Sequence, residues 1–407
     1  MYGFIFRRRS QGHPADHRSP KATALTLATC ASAAFAMLAL PTTNAIARSF
    51  GPAQPPERSL QAIYMISPTT GFGLFESGLG PSTCRSWVAR TTDRGRIFSA
   101  PVVVNTWGRC QFVGFDERIT ANPEGDVAVW GNGLFESHDN GRTWARVAIP
   151  ATVEQVSFQG ESAWLARENC RTTFQLTCPV TLDLSRNGGR TWTVDAAQPP
   201  GVVAANGWET QTTTILLRVT STVGYVFTGP RSESYQDNVL PVWRTTDGGR
   251  SWQARHTRCA VGPAYGIPFA AATHAGAIYL LCTGIGDRGD EVKSTSVSYD
   301  GARTWRVVNP ASTLDNPMTV GYWSSIAALS DTTAFSTGER ANLWFTHNAG
   351  RTWTSLPYGI GAGNPQQVLF VNPVDGFMLA SSSISTEWIY YTVNGGSSWT
   401  KVAPSVE

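Results

Sequence analysis

The chain has 407 residues, 42% hydrophobic and 15% charged, a composition that fits a globular protein and excludes a disordered or fibrous one. Its net charge of +3 misleads, because residues 1–47 alone carry +4 (Arg7, Arg8, Arg9, Arg18 and Lys21 against Asp16) and leave the remainder at −1. A near-neutral body supplies no electrostatic drive toward nucleic acid or an anionic membrane surface, so neither is expected as a partner.

In chain order, residues 1–47 read as a secretory leader with a basic start, an apolar stretch from Ala24 to Pro41 and a small-residue site at Ala45-Ile46-Ala47. That stretch falls short of the roughly 20 residues of a spanning helix, so cleavage is expected, with no membrane span left and export to the periplasm or beyond. Residues 48–59 read as an extended segment, and residues 60–407 as one repeating domain, expected to be monomeric. Cysteine usage agrees with export: beyond Cys30 the chain has Cys84, Cys110, Cys170, Cys178, Cys259 and Cys282, an even set suited to an oxidising compartment. Sequence alone leaves the pairing open, and proximity favours Cys84 with Cys110, Cys170 with Cys178 and Cys259 with Cys282. No C-x-x-C spacing occurs and histidines are few, so no metal or other cofactor is expected.

From Thr91 onward one octapeptide recurs: TTDRGRIF, then SHDNGRTW from Ser137, SRNGGRTW from Ser185, TTDGGRSW from Thr245, SYDGARTW from Ser298, THNAGRTW from Thr346 and TVNGGSSW from Thr392. Its third positions, Asp93, Asp139, Asn187, Asp247, Asp300, Asn348 and Asn394, lie 46 to 60 residues apart, the length of one four-stranded propeller blade. Asp or Asn accepts hydrogen bonds from backbone N–H groups just ahead, and Gly two residues later supplies a positive φ, so the octapeptide is a self-closed turn. The terminal aromatic ring, Trp in six repeats and Phe98 in the first, starts the outgoing strand. Asn keeps the acceptor but loses the charge. Neither metal binding nor acid/base chemistry is therefore the shared purpose, and the repeat is structural.

The predicted fold is all-β: a seven-bladed β-propeller of four-stranded antiparallel blades, with the octapeptide as the hairpin between strands three and four. Innermost strands begin near Leu60, Arg118, Val153, the segment TTTILLRVT, Phe269, Tyr322 and Gln367. Octapeptide turns then share one face with the first-to-second turns. The opposite face collects the second-to-third loops and the crossings between blades, and there length varies: SGLGPST, RENCRTTFQLTC, RSESYQDN and GIGDRGDEVKS. Long loops on a rigid scaffold are where function usually resides. The crossings carry Trp107, Trp208, Tyr265, Tyr322 with Trp323, and Tyr358, a set that serves either as stacking surfaces for a sugar or peptide or as packing between blades. Arg118, behind Asp116 and Glu117, and Glu209 complete the candidate ligand residues. Adjacent residues on a strand point to opposite sides, so Asp116 and Glu117 cannot both line one pocket. The G-x-G-x-x-G spelling at Gly284–Gly289 has no helix after it and is set aside.

The seven octapeptides resemble the Asp-box (BNR-like) repeats of a β-propeller superfamily over nearly the whole chain beyond the leader. Sialidases, the superfamily's familiar enzymes, have six blades and an Arg-Ile-Pro motif. This chain has seven repeats and no such motif, so no catalytic residue carries over. The architecture is most similar to the photosystem II stability/assembly factor family of exported single propellers, a resemblance that implies a non-catalytic scaffold binding a protein partner. A carbohydrate-active enzyme or a glycan-binding adhesin is the alternative.

Overall fold

The computed structural model describes residues 58–77, 83–108, 117–149, 152–169, 177–195, 197–199, 203–205, 214–227, 241–257, 267–287, 290–309, 322–339, 343–356, 363–382 and 387–407. Seven antiparallel sheets follow one another along the chain. Blade 1 comprises Arg58–Met65, Gly71–Ser77, Thr83–Thr91 and Ile97–Phe98, and blade 2 comprises Arg118–Ala121, Val127–Trp130, Leu134–Ser137 and Ala145–Val147. Blade 3 is Thr152–Gln159, Ser162–Glu168, Thr177–Ser185 and Thr193–Val194; blade 4 is Ile215–Arg218, Gly224–Phe227, Pro241–Thr245 and Gln253–His256. Blade 5 has Ile267–Ala272, Ile278–Asp287, Asp290–Ser298 and Arg306–Asn309; blade 6 has Tyr322–Ala328, Ala334–Glu339, Leu343–Thr346 and Thr354–Leu356. Blade 7 is Gly363–Phe370, Gly376–Ser382, Glu387–Thr392 and Thr400–Val402. Each blade's first strand contacts the first strands of its neighbours and the seventh returns to the first, so the inner strands form a closed ring.

Both faces of a blade are covered by neighbouring blades, which is why strands such as Val127–Trp130 and Ile215–Arg218 are buried at every position rather than at alternate ones. The core is accordingly divided among the seams. Phe72, Leu74 and Val88 of blade 1 meet Val127 and Val129 of blade 2; Trp164 and Leu182 of blade 3 meet Leu216 and Trp243 of blade 4; Phe335 of blade 6 meets Phe370 and Met378 of blade 7. Each such side chain contributes about 1.5–3 kcal/mol by leaving water.

The octapeptide turns lie between the third and fourth strands and make the same bonds each time. In blade 2, Ser137 Oγ donates to Asp139 Oδ1 (2.8 Å), Gly141 N donates to Ser137 Oγ (2.9 Å), and the N–H groups of Arg142 and Thr143 donate to Asp139 Oδ1 (3.0 and 2.9 Å). Asp and Asn interchange through the hydroxyl at position seven. Thr143 Oγ1 donates to the Asp139 carboxylate (2.7 Å), whereas the Asn187 amide donates to Thr191 Oγ1 (3.0 Å). Positions four and five both adopt positive φ, and Arg94, Asn140, Ala302 and Ala349 do so without being glycine, at a cost of about 1 kcal/mol each. In blades 1–4, 6 and 7 the position-four N–H donates to a carbonyl of the first-to-second turn, as Asn140 N does to Gly125 O (3.0 Å).

These turns also join blades. A Cβ added at position five would meet a side chain of the preceding blade: Phe72 from Gly141, Glu136 from Gly189, Leu184 from Gly249, Thr295 from Gly350 and Phe335 from Gly396. Three octapeptide tryptophans reach the same way, with the indole N–H of Trp192 on Glu136 (2.9 Å), of Trp252 on Asp195 (3.2 Å) and of Trp353 on Thr295 (3.0 Å), whereas those of Trp144 and Trp399 donate to the Gly141 and Gly396 carbonyls of their own turns (3.1 Å each).

Ring closure uses no exchanged inner strand. Blade 7 meets blade 1 through an apolar seam of Leu369, Phe377, Leu379 and Ile389 against Leu60, Ile63, Phe75 and Phe98. The Gln367 side chain, 7% exposed, then acts as a short piece of backbone: its Oε1 accepts from Ile63 N (3.0 Å) and its Nε2 donates to Ile63 O (2.9 Å). Gln155 makes the same clasp on Leu216 between blades 3 and 4. Both glutamines follow a register shift in their inner strand, and the extra residue at such a bulge re-aims the side chain after it. Outside, Ser405–Val406 pairs in parallel with Ile97–Phe98 and adds a final strand to blade 1.

Two sequence expectations change here. The segment GIGDRGDEVKS is not a loop, because Ile278–Asp287 and Asp290–Ser298 pair as a ribbon out to Asp287 opposite Asp290. Trp107 is not in a crossing either: Val102–Gly108 is a strand laid against the third strand of blade 1, with Trp107 opposite Cys84. Once Ile97–Phe98 ends, the upper half of Thr83–Thr91 has an unpaired edge, and this segment satisfies it.

Candidate functional site

The long-connection face, called upper here, is built from the ends of second strands and the starts of first and third strands. Its described part holds two polar clusters. At the seam of blades 1 and 2, Glu117 immediately precedes the inner strand of blade 2 and is 5% exposed. One nitrogen, Asn105 Nδ2, donates to both Glu117 Oε1 (3.1 Å) and Asn132 O (3.2 Å). Burial pushes the Glu117 carboxyl upward, partly opposed by hydrogen bonds from Ser86 and Asn105. Glu117 is thus a buried acid held as a hydrogen-bonding group.

The second cluster lies on blade 3. Arg167 Nε meets Asp183 Oδ2 at 2.8 Å and its Nη1 donates to Asn169 Oδ1 (2.8 Å), while Asn169 Nδ2 donates to Thr181 Oγ1 (2.7 Å). Beside them the Glu168 carboxyl is pushed up by burial, with a hydrogen bond to Glu154 opposing that shift. Sequence reasoning missed this pair, because Glu154 sits in the inner-strand bulge and meets the end of the second strand only once the register is known.

The predicted ligand residues distribute unevenly. Arg118 opens the inner strand of blade 2, half-buried and opposite Trp130. Trp107 is half-buried on the outer part of blade 1. Trp323 lies within the inner strand of blade 6, 2% exposed, edge-on to Trp353 at 5.6 Å with the Lys293 ammonium 5.6 Å from its ring. It packs between strands and offers no open stacking face. Trp208, Glu209, Tyr265 and Tyr358 lie outside the described residues. Cys84 and Cys282 are each disulfide-bonded; Cys110, Cys170 and Cys259, and the side chain of Cys178, lie outside the described residues. Among the described residues no group of three or more His, Cys, Asp or Glu is placed to hold a metal ion, and no helix is long and apolar enough to cross a membrane.

The lower face carries a third cluster that the sequence did not announce. Asp126 and Glu136 of blade 2, 2% and 3% exposed, receive the octapeptide turn of blade 3. His138 Nδ1 meets Asp126 Oδ1 at 2.9 Å, Arg190 Nη2 meets the same oxygen at 3.2 Å, and Trp192 caps Glu136. Burial chiefly, opposed by the Trp192 hydrogen bond and reinforced by Asp126, pushes the Glu136 carboxyl up to about 8. The four octapeptide aspartates behave oppositely. Hydrogen bonds from the Thr143 hydroxyl and N–H lead in holding Asp139 down to about 2, and Ser251 does the same for Asp247. At Asp300 burial opposes the shift, but bonds from Thr304, Ser298 and Arg303 prevail and hold it near about 2. Every described octapeptide Asp or Asn spends its acceptors inside its own turn, which leaves this face architectural.

The fold and these two faces define a seven-bladed β-propeller with four-stranded blades. Among solved structures its fold is similar to YCF48 bound to a D1 peptide, at 15% identity and a TM-score of 0.51 over 84% of this chain and 95% of that one. YCF48 from Cyanidioschyzon merolae is similar at 14% identity and a TM-score of 0.52, covering 84% and 98%. A puromycin hydrolase, 11% identical, shares the architecture at a TM-score of 0.52 over 85% of this chain and 54% of its own. No family model and no curated protein matches the chain.

Proposed function

We propose that the protein is an exported, non-catalytic propeller that binds an extended segment of a partner protein on its upper face. The observation that carries this reading is the concentration of length variation on that face. Lower-face turns between first and second strands span five residues in six blades (66–70, 122–126, 219–223, 273–277, 329–333 and 371–375) and two in blade 3 (160–161), whereas upper connections between second and third strands run from 288–289 to 228–240. Variable connections on a fixed ring are how one scaffold is fitted to one partner. The similarity of fold to a propeller solved with a bound peptide supports a peptide as the ligand class. Carboxyls pushed upward by burial at Glu117 and Glu168 suit hydrogen bonding to an uncharged backbone better than capture of a cation. Disulfide-bonded Cys84 and Cys282 accord with an oxidising compartment, and residues 1–47 with a cleaved leader.

The test is to screen the purified protein in parallel on arrays of extended peptides, on a glycan array and against a glycosidase panel. Peptide binding that is lost when 228–240 is replaced by a short turn, with far-UV circular dichroism unchanged, supports the proposal. Hydrolysis of a glycoside that is lost on Glu117→Gln or Glu168→Gln overturns it in favour of a carbohydrate-active enzyme.

A further inference from the structure

The chain holds four described Asn-Gly pairs: Asn132-Gly133, Asn140-Gly141, Asn187-Gly188 and Asn394-Gly395; a fifth, Asn206-Gly207, lies outside the described residues. Such a pair is chemically labile because an unhindered glycine N–H can attack the preceding side-chain amide. Three of the four are locked inside octapeptide turns. Gly188 N donates to Glu161 O (2.7 Å), and the Asn187 side chain bonds Ser185, the Thr191 N–H and the Thr191 hydroxyl. Gly395 N donates to Val374 O (2.9 Å), and Asn394 is held likewise by Thr392 and Ser398. Gly141 N donates to Ser137 Oγ (2.9 Å), and Asn140 sits with its own N–H on Gly125 O.

Asn132-Gly133 lies outside the octapeptides, and its glycine N–H lacks the partner that the other three have. It forms the tip of the three-residue turn between Trp130 and Leu134 on the upper face, Asn132 is exposed, and Gly133 has a φ of 108°. Among the described residues neither the Asn132 side chain nor the Gly133 N–H has a hydrogen-bond partner; only the Asn132 carbonyl is engaged, by Asn105.

We propose that Asn132 is a site of spontaneous, water-driven conversion to aspartate and isoaspartate, selected by the fold from among chemically equivalent pairs. The Gly133 nitrogen forms a bond to Asn132 Cγ, the carboxamide C–N bond breaks, and ammonia leaves with the proton released by the attacking nitrogen. Water then opens the cyclic imide at either carbonyl. The product places a carboxylate on the upper face at the residue whose carbonyl Asn105 bonds, beside the seam where Asn105 also holds Glu117, so the modification changes the charge of the face assigned to ligand binding.

The experiment is peptide mapping of the purified protein aged at mildly alkaline pH, folded and in concentrated urea, with Asn132→Gln alongside. In the folded protein Asn132 is expected to convert about three- to ten-fold faster than Asn140, Asn187 or Asn394, the factor that one net hydrogen bond sets on a step that must first break it. In urea the four rates should converge, and Asn132→Gln should remove from ion-exchange profiles the acidic species whose peptide map carries this turn. Equal rates in the folded protein overturn the proposal. So does an Asn132 lead that persists undiminished in urea, since that would place the control in local sequence.

Discussion

Replacing Gln367 with Leu removes the clasp between the last and first blades while keeping an apolar side chain of similar reach. The buried N–H and C=O of Ile63, now paired at 3.0 and 2.9 Å, lose their partners where water does not replace them. A buried polar group left unsatisfied costs about 1–3 kcal/mol, so the pair predicts a loss of about 2–6 kcal/mol, reduced toward the lower end by the apolar area that Leu gains. Domains are stable by only about 5–15 kcal/mol, which makes the effect easy to read. Equilibrium urea unfolding followed by tryptophan fluorescence should show a lower midpoint with an unchanged slope. Gln155→Leu removes the same two bonds between blades 3 and 4 and is the internal comparison, because those blades remain joined by chain. If Gln367→Leu shifts stability by less than about 0.5 kcal/mol, the range of an ordinary surface substitution, the side-chain amide is not what holds the ring shut.

Four further outcomes follow from the same geometry. Asp139, Asp247 and Asp300 have folded pKa values of about 2 against about 3.9 unfolded, so their stabilisation is complete above the unfolded value and lost as pH falls through about 2. The triple Asn variant, which keeps the acceptors, should therefore show a flatter melting-temperature profile between pH 5 and 2. Glu136 has the opposite sign: its folded pKa of about 8 lies above the unfolded one, so stability is greatest at low pH and declines as pH rises toward 8, and Glu136→Gln, still able to accept from Trp192, should gain on wild type across that window in melts that hold ionic strength fixed. Non-reducing peptide mapping is expected to join Cys84 to Cys110 and Cys282 to Cys259, and a map with either cysteine free would contradict the fold's use of them. Removing residues 404–407 takes away the strand bonded through Ser405 N on Arg96 O and Glu407 N on Phe98 O (3.0 Å each), and should lower the melting temperature while leaving the remaining sheet signal intact.

The blade count and the start of nearly every inner strand were legible because the octapeptide is a local device. Thr or Ser at position one, Asp or Asn at three and the left-handed pair at four and five complete one another within eight residues, so their spacing transmits directly into architecture. What joins blades is not local. Gln155 and Gln367 look like surface glutamines in sequence, and only the register shift before each turns it toward the next inner strand. Trp107 was assigned to a crossing because the outer strand of blade 1 is interrupted after Phe98, and a second outer piece is invisible without knowing that the third strand extends far enough to need one. Glu154 and Glu168 stand well apart in the chain, and their pairing is a property of register alone.

The two faces differ for one physical reason. On the lower face the octapeptide turns of blades 1–4, 6 and 7 are bonded to the first-to-second turn of their own blade and pressed, at position five, against the blade before. An inserted residue there would break bonds in one blade and open a seam with another, so the cost is shared by two cores. On the upper face the seam clasps lie inside the ring, on Gln155 and Gln367 and on Ser325 Oγ, which accepts from Val368 N. An upper connection that bridges no seam is lengthened at a cost set chiefly by closure entropy, about 0.6 kcal/mol for each doubling, and that asymmetry allows the upper face to diversify while the octapeptide stays fixed.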